Sequence, residues 1–237
     1  MHAIKSRLDI RPFATLGHAN HGWLDAHHHF SFADYYDPER MGWGSLRVWN
    51  DDAIAPGAGF PPHPHADMEI VTYVRQGAIT HRDSLGNMGR TVAGDVQVMS
   101  AGSGIRHSEY NLESEETRLF QIWILPAQRG GEPDWGTRPF PKAGQSEGWR
   151  VLASGFAGDG DALPIRTPAR VLGARLAAGR SLDYRLGEGR HGYLVSASGR
   201  IEVDGESVSP RDGVALSGGP LSIRAVDDAE LVFVDAA

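Results

Sequence analysis

Few stretches of this chain carry the 3.6-residue hydrophobic period of an amphipathic helix. Short runs rich in β-branched and aromatic residues are instead separated by turn residues, which predicts strands. EIVTYV (69–74), AITHR (78–82) and TVAGDVQVM (91–99) are such runs. Gln76-Gly77, the cluster Ser84-Leu85-Gly86-Asn87 and the glycine-rich corner Ser100–Gly104 break them. After Gln121–Pro126 the composition turns to glycine, proline and polar residues over 127–149, which reads as a connection between two barrels. From Trp149 onward short runs resume: RVLASG, ARVLGARL, GYLVSASGRIEV, VALSG, LSIRAV and ELVFVDAA, with Asp204-Gly205 as a hairpin signal. The prediction is an all-β protein.

Composition narrows the function classes. Hydrophobic residues make up 41% and charged residues 22% of 237, ordinary for a globular protein with an ample core. A net charge of −7 argues against a nucleic-acid surface, which clusters Lys and Arg. With no cysteine, disulfides, a thiolate nucleophile and a thiolate zinc site are all excluded. The opening MHAIKSRLDIRPF lacks the apolar core of a signal peptide, and no apolar run reaches 18 residues, so a cytoplasmic protein without membrane contact is expected.

The chemistry concentrates at the two ends of the central strand-rich stretch, in His63-Pro64-His65 and His107-Ser108-Glu109. Residues two apart on a strand share a face, about 6.6 Å apart. Brought opposite each other, the pairs supply three imidazoles and a carboxylate, a set that suits one divalent metal and leaves coordination positions open. Glu69 has the same parity as His63 and His65, so it competes with Glu109 as the carboxylate ligand; otherwise it orients a ligand imidazole or lies on the surface. Successive residues of His27-His28-His29 face opposite sides of a strand and do not converge on one ion. His18 and His21 lie in a loop-like segment, and neither is assigned a role. His81 reads as part of a hairpin held by Asp83 and Asn87. Arg106 is expected to point away from the metal. Phe30, Phe32, Tyr35, Tyr36, Trp43 and Trp49 read as packing residues. The second half has a single histidine, His191, and no ligand pair, so no second metal site is expected.

The residues from 59 to 111 resemble a cupin. His63, His65, Glu69 and Gly77 fit the first cupin motif, with Gly77 one residue late, and Gly94, Gly102, His107 and Asn111 can be placed on the second, with Ser100 where proline is usual. HPH followed by MEIVTYV, HRDSLGN and SAGSGIRHSEYN resembles the pirin family, in particular bacterial pirins with quercetin 2,3-dioxygenase activity; the likeness runs over roughly 17–126. It implies a bicupin: a metal-binding N-terminal cupin at 1–126, a linker at 127–149, and a diverged, metal-free C-terminal cupin at 150–237. It also implies one ion, usually iron, held by His63, His65, His107 and Glu109, although the donors equally accept Mn, Co, Ni, Cu or Zn. The implied activity is cleavage of quercetin, or of a related flavonol or aromatic enol, by O2, with Glu109 as general base. Other pirins imply an alternative: a metal-containing regulatory protein that binds a protein partner without turnover.

Overall fold

The computed structural model describes residues 7–139 and 148–237, so Met1–Ser6 and the stretch 140–147 of the expected linker lie outside the described residues. The first half contributes β1 (Arg7–Arg11), β2 (Gly17–Asn20), β3 (Leu24–His28), β4 (Leu46–Ile54), β5 (Gly59–His65), β6 (Glu69–Gln76), β7 (Ala78–Asp83), β8 (Met88–Val92), β9 (Asp95–Ser100), β10 (Ile105–Tyr110), β11 (Thr117–Ile124) and β12 (Asp134–Pro139). The second half contributes β13 (Arg150–Ser154), β14 (Leu163–Pro164), β15 (Arg170–Leu176), β16 (Ser181–Ser198), β17 (Ile201–Val203), β18 (Glu206–Val208), β19 (Gly213–Ala225) and β20 (Ala229–Ala236). Among the described residues the sole helical element is a 3-10 turn at Phe13–Thr15, and no helix is long and apolar enough to cross a membrane.

Two sheets enclose the first barrel: a seven-stranded one in the order β12-β9-β6-β11-β4-β3-β2 and a four-stranded one in the order β5-β10-β7-β8. The strands of the second half form one sheet, which β1 completes to nine strands by pairing with β19. The fold is therefore all-β with two cupin domains, as the strand pattern and the resemblance predict. The first strand belongs by hydrogen bonding to the second half, where Leu8 and Ile10 pack on its core. Within the segment expected as a linker, β12 extends the first barrel by pairing with β9.

Alternation along each strand builds three cores. Ile70 and Val74 of β6, Leu119 of β11 and Ile105 of β10 fill the first barrel, and Leu194, Leu216, Ile223 and Phe233 fill the second. Between the halves, the opposite faces of the same strands meet: Trp49, Val71, Tyr73, Phe120 and Ile122 pack against Tyr193, Val195, Val232 and Val234. EIVTYV is thus buried on both faces, which is why it reads as a nearly unbroken apolar run. Phe30 and Trp49 lie in this junction as expected of packing residues, whereas Tyr36 is 72% exposed.

Polar bonds pin the junction. His29 Nδ1 and the Tyr193 hydroxyl lie 2.9 Å apart, and the Trp43 indole N–H donates to the Leu216 carbonyl at 2.9 Å. Gly213 leaves room for the first pair, because a Cβ there would sit 2.0 Å from the Tyr193 oxygen. Gly213→Ala is expected to destabilise the protein by about 1–3 kcal/mol through overpacking, measured as a lower urea midpoint at unchanged slope.

Candidate metal centre

β5 is an edge strand, the place where Pro61, Pro62 and Pro64 are tolerated despite lacking N–H donors. It runs antiparallel to β10 with His63 opposite His107 and His65 opposite Ile105, and a bulge between His107 and Glu109 brings Phe60 opposite Glu109. On the other edge of β10, β7 places Asp83 opposite His107 and His81 opposite Glu109. Opposed residues share a sheet face. The inner face of this four-stranded sheet therefore carries His63, His65, His81, Asp83, His107 and Glu109 together.

The ligand atoms of His63, His65 and His107 lie within 4.8 Å of one another. His63 Nε2 and His107 Nε2 are 3.1 Å apart. Two nitrogens bound to one ion at about 2.1 Å stand roughly 3.0–3.4 Å apart across an angle between 90° and the tetrahedral value, so the spacing fits a shared cation. His63 Nδ1 lies 2.7 Å from the Pro61 carbonyl, to which it donates, and this leaves Nε2 as the lone-pair nitrogen facing His107. Burial, and then the neighbouring imidazoles, push His107 down to about 2 and His65 down to about 4. At neutral pH both rings are uncharged donors, the form a metal requires.

Glu109 belongs to a second group, with His81 and His107. It is buried, and its two oxygens accept from the Gln97 amide at 2.7 Å and the Gln121 amide at 2.9 Å. Both amides are themselves oriented. The Thr91 hydroxyl donates to the Gln97 carbonyl oxygen at 2.9 Å, and the Trp123 indole N–H donates to that of Gln121 at 3.0 Å, so each turns its NH2 toward Glu109. Gln97, Thr72 and Gln121 are register neighbours across β9, β6 and β11, forming a polar row on the barrel wall opposite the histidines. Each carboxylate oxygen keeps a lone pair beyond these bonds. Burial pushes the Glu109 carboxyl up to about 7, against the hydrogen bonds from Gln121, Gln97 and Thr72 that pull it down.

Glu69 does not join the histidines. It accepts from the Ser100 hydroxyl at 2.5 Å, beside Arg166 of the second half; burial raises its pKa, and the Ser100 bond and then Arg166 oppose the rise. Parity with His65 is not carried over because the turn at Asp67, with φ +52°, moves the chain from the four-stranded to the seven-stranded sheet. The three consecutive histidines alternate as expected. His28 points inward to Asn50 at 2.8 Å, and His29 points to Tyr193. His27 joins His18 and Asp25 in a third group, in which His18 Nε2 and Asp25 Oδ1 are already paired at 2.5 Å. His191 packs edge-on against Trp43, and among the described residues no group of three ligating side chains lies in the second half.

Sequence reasoning missed Gln97, Gln121 and Asp52. Asp52 is buried, its Oδ1 has no hydrogen-bond partner among the described residues, and burial followed by the charges of Asp51 and Glu109 holds its carboxyl well above the ordinary range. Nothing local in Asp51-Asp52 tells which carboxylate enters the barrel. A shallow hollow of about 490 Å³ lies beside His65, lined also by Pro64, Ser84, Ile105 and Arg106.

Known proteins resemble this chain over nearly its whole length. Residues 10–124 match the family model described as Pirin, and residues 151–236 match the one described as Quercetinase C-terminal cupin domain. The chain is 65% identical to a pirin-like protein of Caulobacter vibrioides, over 97% of this chain and all of that one. It is 42% identical to the quercetin 2,3-dioxygenase of Escherichia coli K12, over 95% of this chain and 97% of that one. The crystal structure of the bacterial pirin YhhW from Escherichia coli in complex with nickel(II) superposes with a TM-score of 0.91 at 40% identity, covering 97% of this chain and 99% of that one.

Proposed function

This chain belongs to the pirin family of cupins, and on that premise we propose that it is a metal-dependent dioxygenase that opens the heterocycle of quercetin, or of a related flavonol or aromatic enol, with O2 and releases carbon monoxide. The observation that carries the reading is the convergence of three imidazoles beside a buried carboxylate, whose pKa burial raises to about 7. His63, His65 and His107 would hold one divalent cation, Fe(II) in this proposal, with Glu109 as its fourth protein ligand or as a base beside it. The bound cation would supply Lewis-acid stabilisation of negative charge on the substrate oxygens.

The chain's own residues account for the remaining steps. Glu109 takes the 3-hydroxyl proton, which moves to a carboxylate oxygen. A pKa near the working pH is what a general base requires. The Gln97 and Gln121 amides hold that carboxylate in place, so that it does not have to reorganise as the proton arrives. Trp123, edge-on to His65 at 5.0 Å and to Phe32 at 5.3 Å, offers an aromatic wall for a flat substrate.

Protein reconstituted anaerobically with Fe(II) is expected to consume oxygen and release carbon monoxide on addition of quercetin, about tenfold or more faster than metal-free protein. Equal rates with and without metal, in protein shown to hold the ion, would sink the proposal.

A further inference from the structure

The hairpin formed by β7 and β8 reaches the centre through His81. Its ring is fully buried and lies between two partners: His81 Nε2 is 3.0 Å from Asp83 Oδ2, and His81 Nδ1 is 3.4 Å from His107 Nδ1. The Trp135 indole of β12 stacks on the His81 ring at 4.8 Å, with the planes 7° apart. This stacking depends on the residue paired with His81 across the hairpin. That residue is Gly89, where a Cβ would fall 2.1 Å from the Trp135 ring.

We infer that Asp83 and His81 are positioning residues that decide which nitrogen of His107 is free to bind a divalent cation. The inference deepens the proposed metal site and rests on that reading. The Asp83 carboxylate only accepts, so His81 must present Nε2–H to it. A neutral His81 then has a bare Nδ1, which requires Nδ1–H from His107. His107 in turn keeps its lone pair on Nε2, the atom 3.1 Å from His63 Nε2. The proton arrangement is thus set from Asp83 inward, two bonds away from the ion. Asp83 also closes the turn: its Oδ1 accepts from the Leu85 and Asn87 backbone N–H groups, and its Oδ2 accepts from the Asn87 side-chain amide. Oδ1 thus carries the backbone bonds of the turn, while Oδ2 serves both His81 and the Asn87 amide.

Asp83→Asn separates the two roles. Its retained oxygen can still accept the two backbone bonds, while its NH2 faces His81 Nε2 and turns it into an acceptor. The His81 proton moves to Nδ1, the His107 proton moves to Nε2, and the ligand position is blocked. Asp83→Asn combined with Asn87→Asp restores the side-chain pair within the turn without restoring an acceptor for His81.

The first measurement is long-range ¹H–¹⁵N NMR of the metal-free wild type. Protonated Nδ1 on His107 and protonated Nε2 on His81 are expected, and the reverse assignment overturns the inference whatever the variants do. The second is Co(II) titration, read by its visible absorption. Both variants are expected to bind roughly 10- to 100-fold more weakly than wild type, with the His107 proton found on Nε2. Wild-type affinity in the double variant would show that only the turn matters, and would overturn the inference. A wild type whose Co(II) affinity survives His107→Ala would overturn the metal-site reading itself, and the inference with it.

Discussion

Asp51→Ala is expected to destabilise the protein by about 3–5 kcal/mol, the cost of leaving a buried charge without its partner. The Asp51 side chain is fully buried on β4 at the junction of the two halves, between the Arg75 and Arg211 guanidinium groups, with Arg211 Nε at 2.6 Å. Arg75 is itself nearly buried, stacked 4.6 Å above Phe120, so removing the carboxylate leaves its charge without an ion-pair partner. Arg211 comes from the turn before β19 and covers the Phe13 ring at 3.8 Å; being 30% exposed, it can turn to water. Arg211→Ala should consequently cost less than half as much as Asp51→Ala, because Asp51 keeps Arg75. Urea unfolding followed by tryptophan fluorescence reads both, and the Asp51 variant should also melt about 10 °C lower. A loss below about 1 kcal/mol for Asp51→Ala would mean that the junction stands on its apolar contacts alone.

The parts of this protein that could be read from the sequence are those set by neighbours in the chain. His63 and His65 share a face because strand side chains alternate, and the same rule pairs His107 with Glu109. The turn at Asp83–Asn87 follows from short polar side chains that accept backbone N–H bonds. What could not be read depends on which strands become neighbours. Glu69 satisfied the parity rule yet lies on the other sheet, turned toward the second half. Gln97 and Gln121 look like ordinary strand residues until β9, β6 and β11 align them across the barrel from Glu109. β1 precedes the first barrel in the chain but pairs with the second half, because its apolar face, Leu8 and Ile10, finds its core there. The alternation of His27, His28 and His29 was legible, but the burial of His29 against Tyr193 was not, since the two are 164 residues apart.

Glu109→Gln is expected to lower the flavonol turnover proposed above by about 100-fold or more, the scale of losing a general base. The surrounding donors make this substitution more severe than its size suggests. Gln97 and Gln121 both turn NH2 groups toward position 109 and are locked in that orientation by Thr91 and Trp123. A glutamine there has one acceptor to offer and must set its own NH2 against one of theirs, so the site discriminates a carboxylate from its amide. The role of Glu109 as ligand or base can be separated by proton release. A carboxyl titrating at about 7 is about half protonated at pH 7 and mostly protonated at pH 6. If Glu109 joins the cation, wild type should release about half a proton more per ion than the Gln variant at pH 7, and nearly a whole one more at pH 6. Its metal affinity should then fall more steeply than the variant's as the pH drops, because protons compete with the ion for the carboxylate. If the two proteins release the same number of protons and hold the metal equally, while only turnover is lost, Glu109 acts beside the ion as the base. Retention of full turnover in a Gln variant that binds its metal would leave Glu109 with neither role.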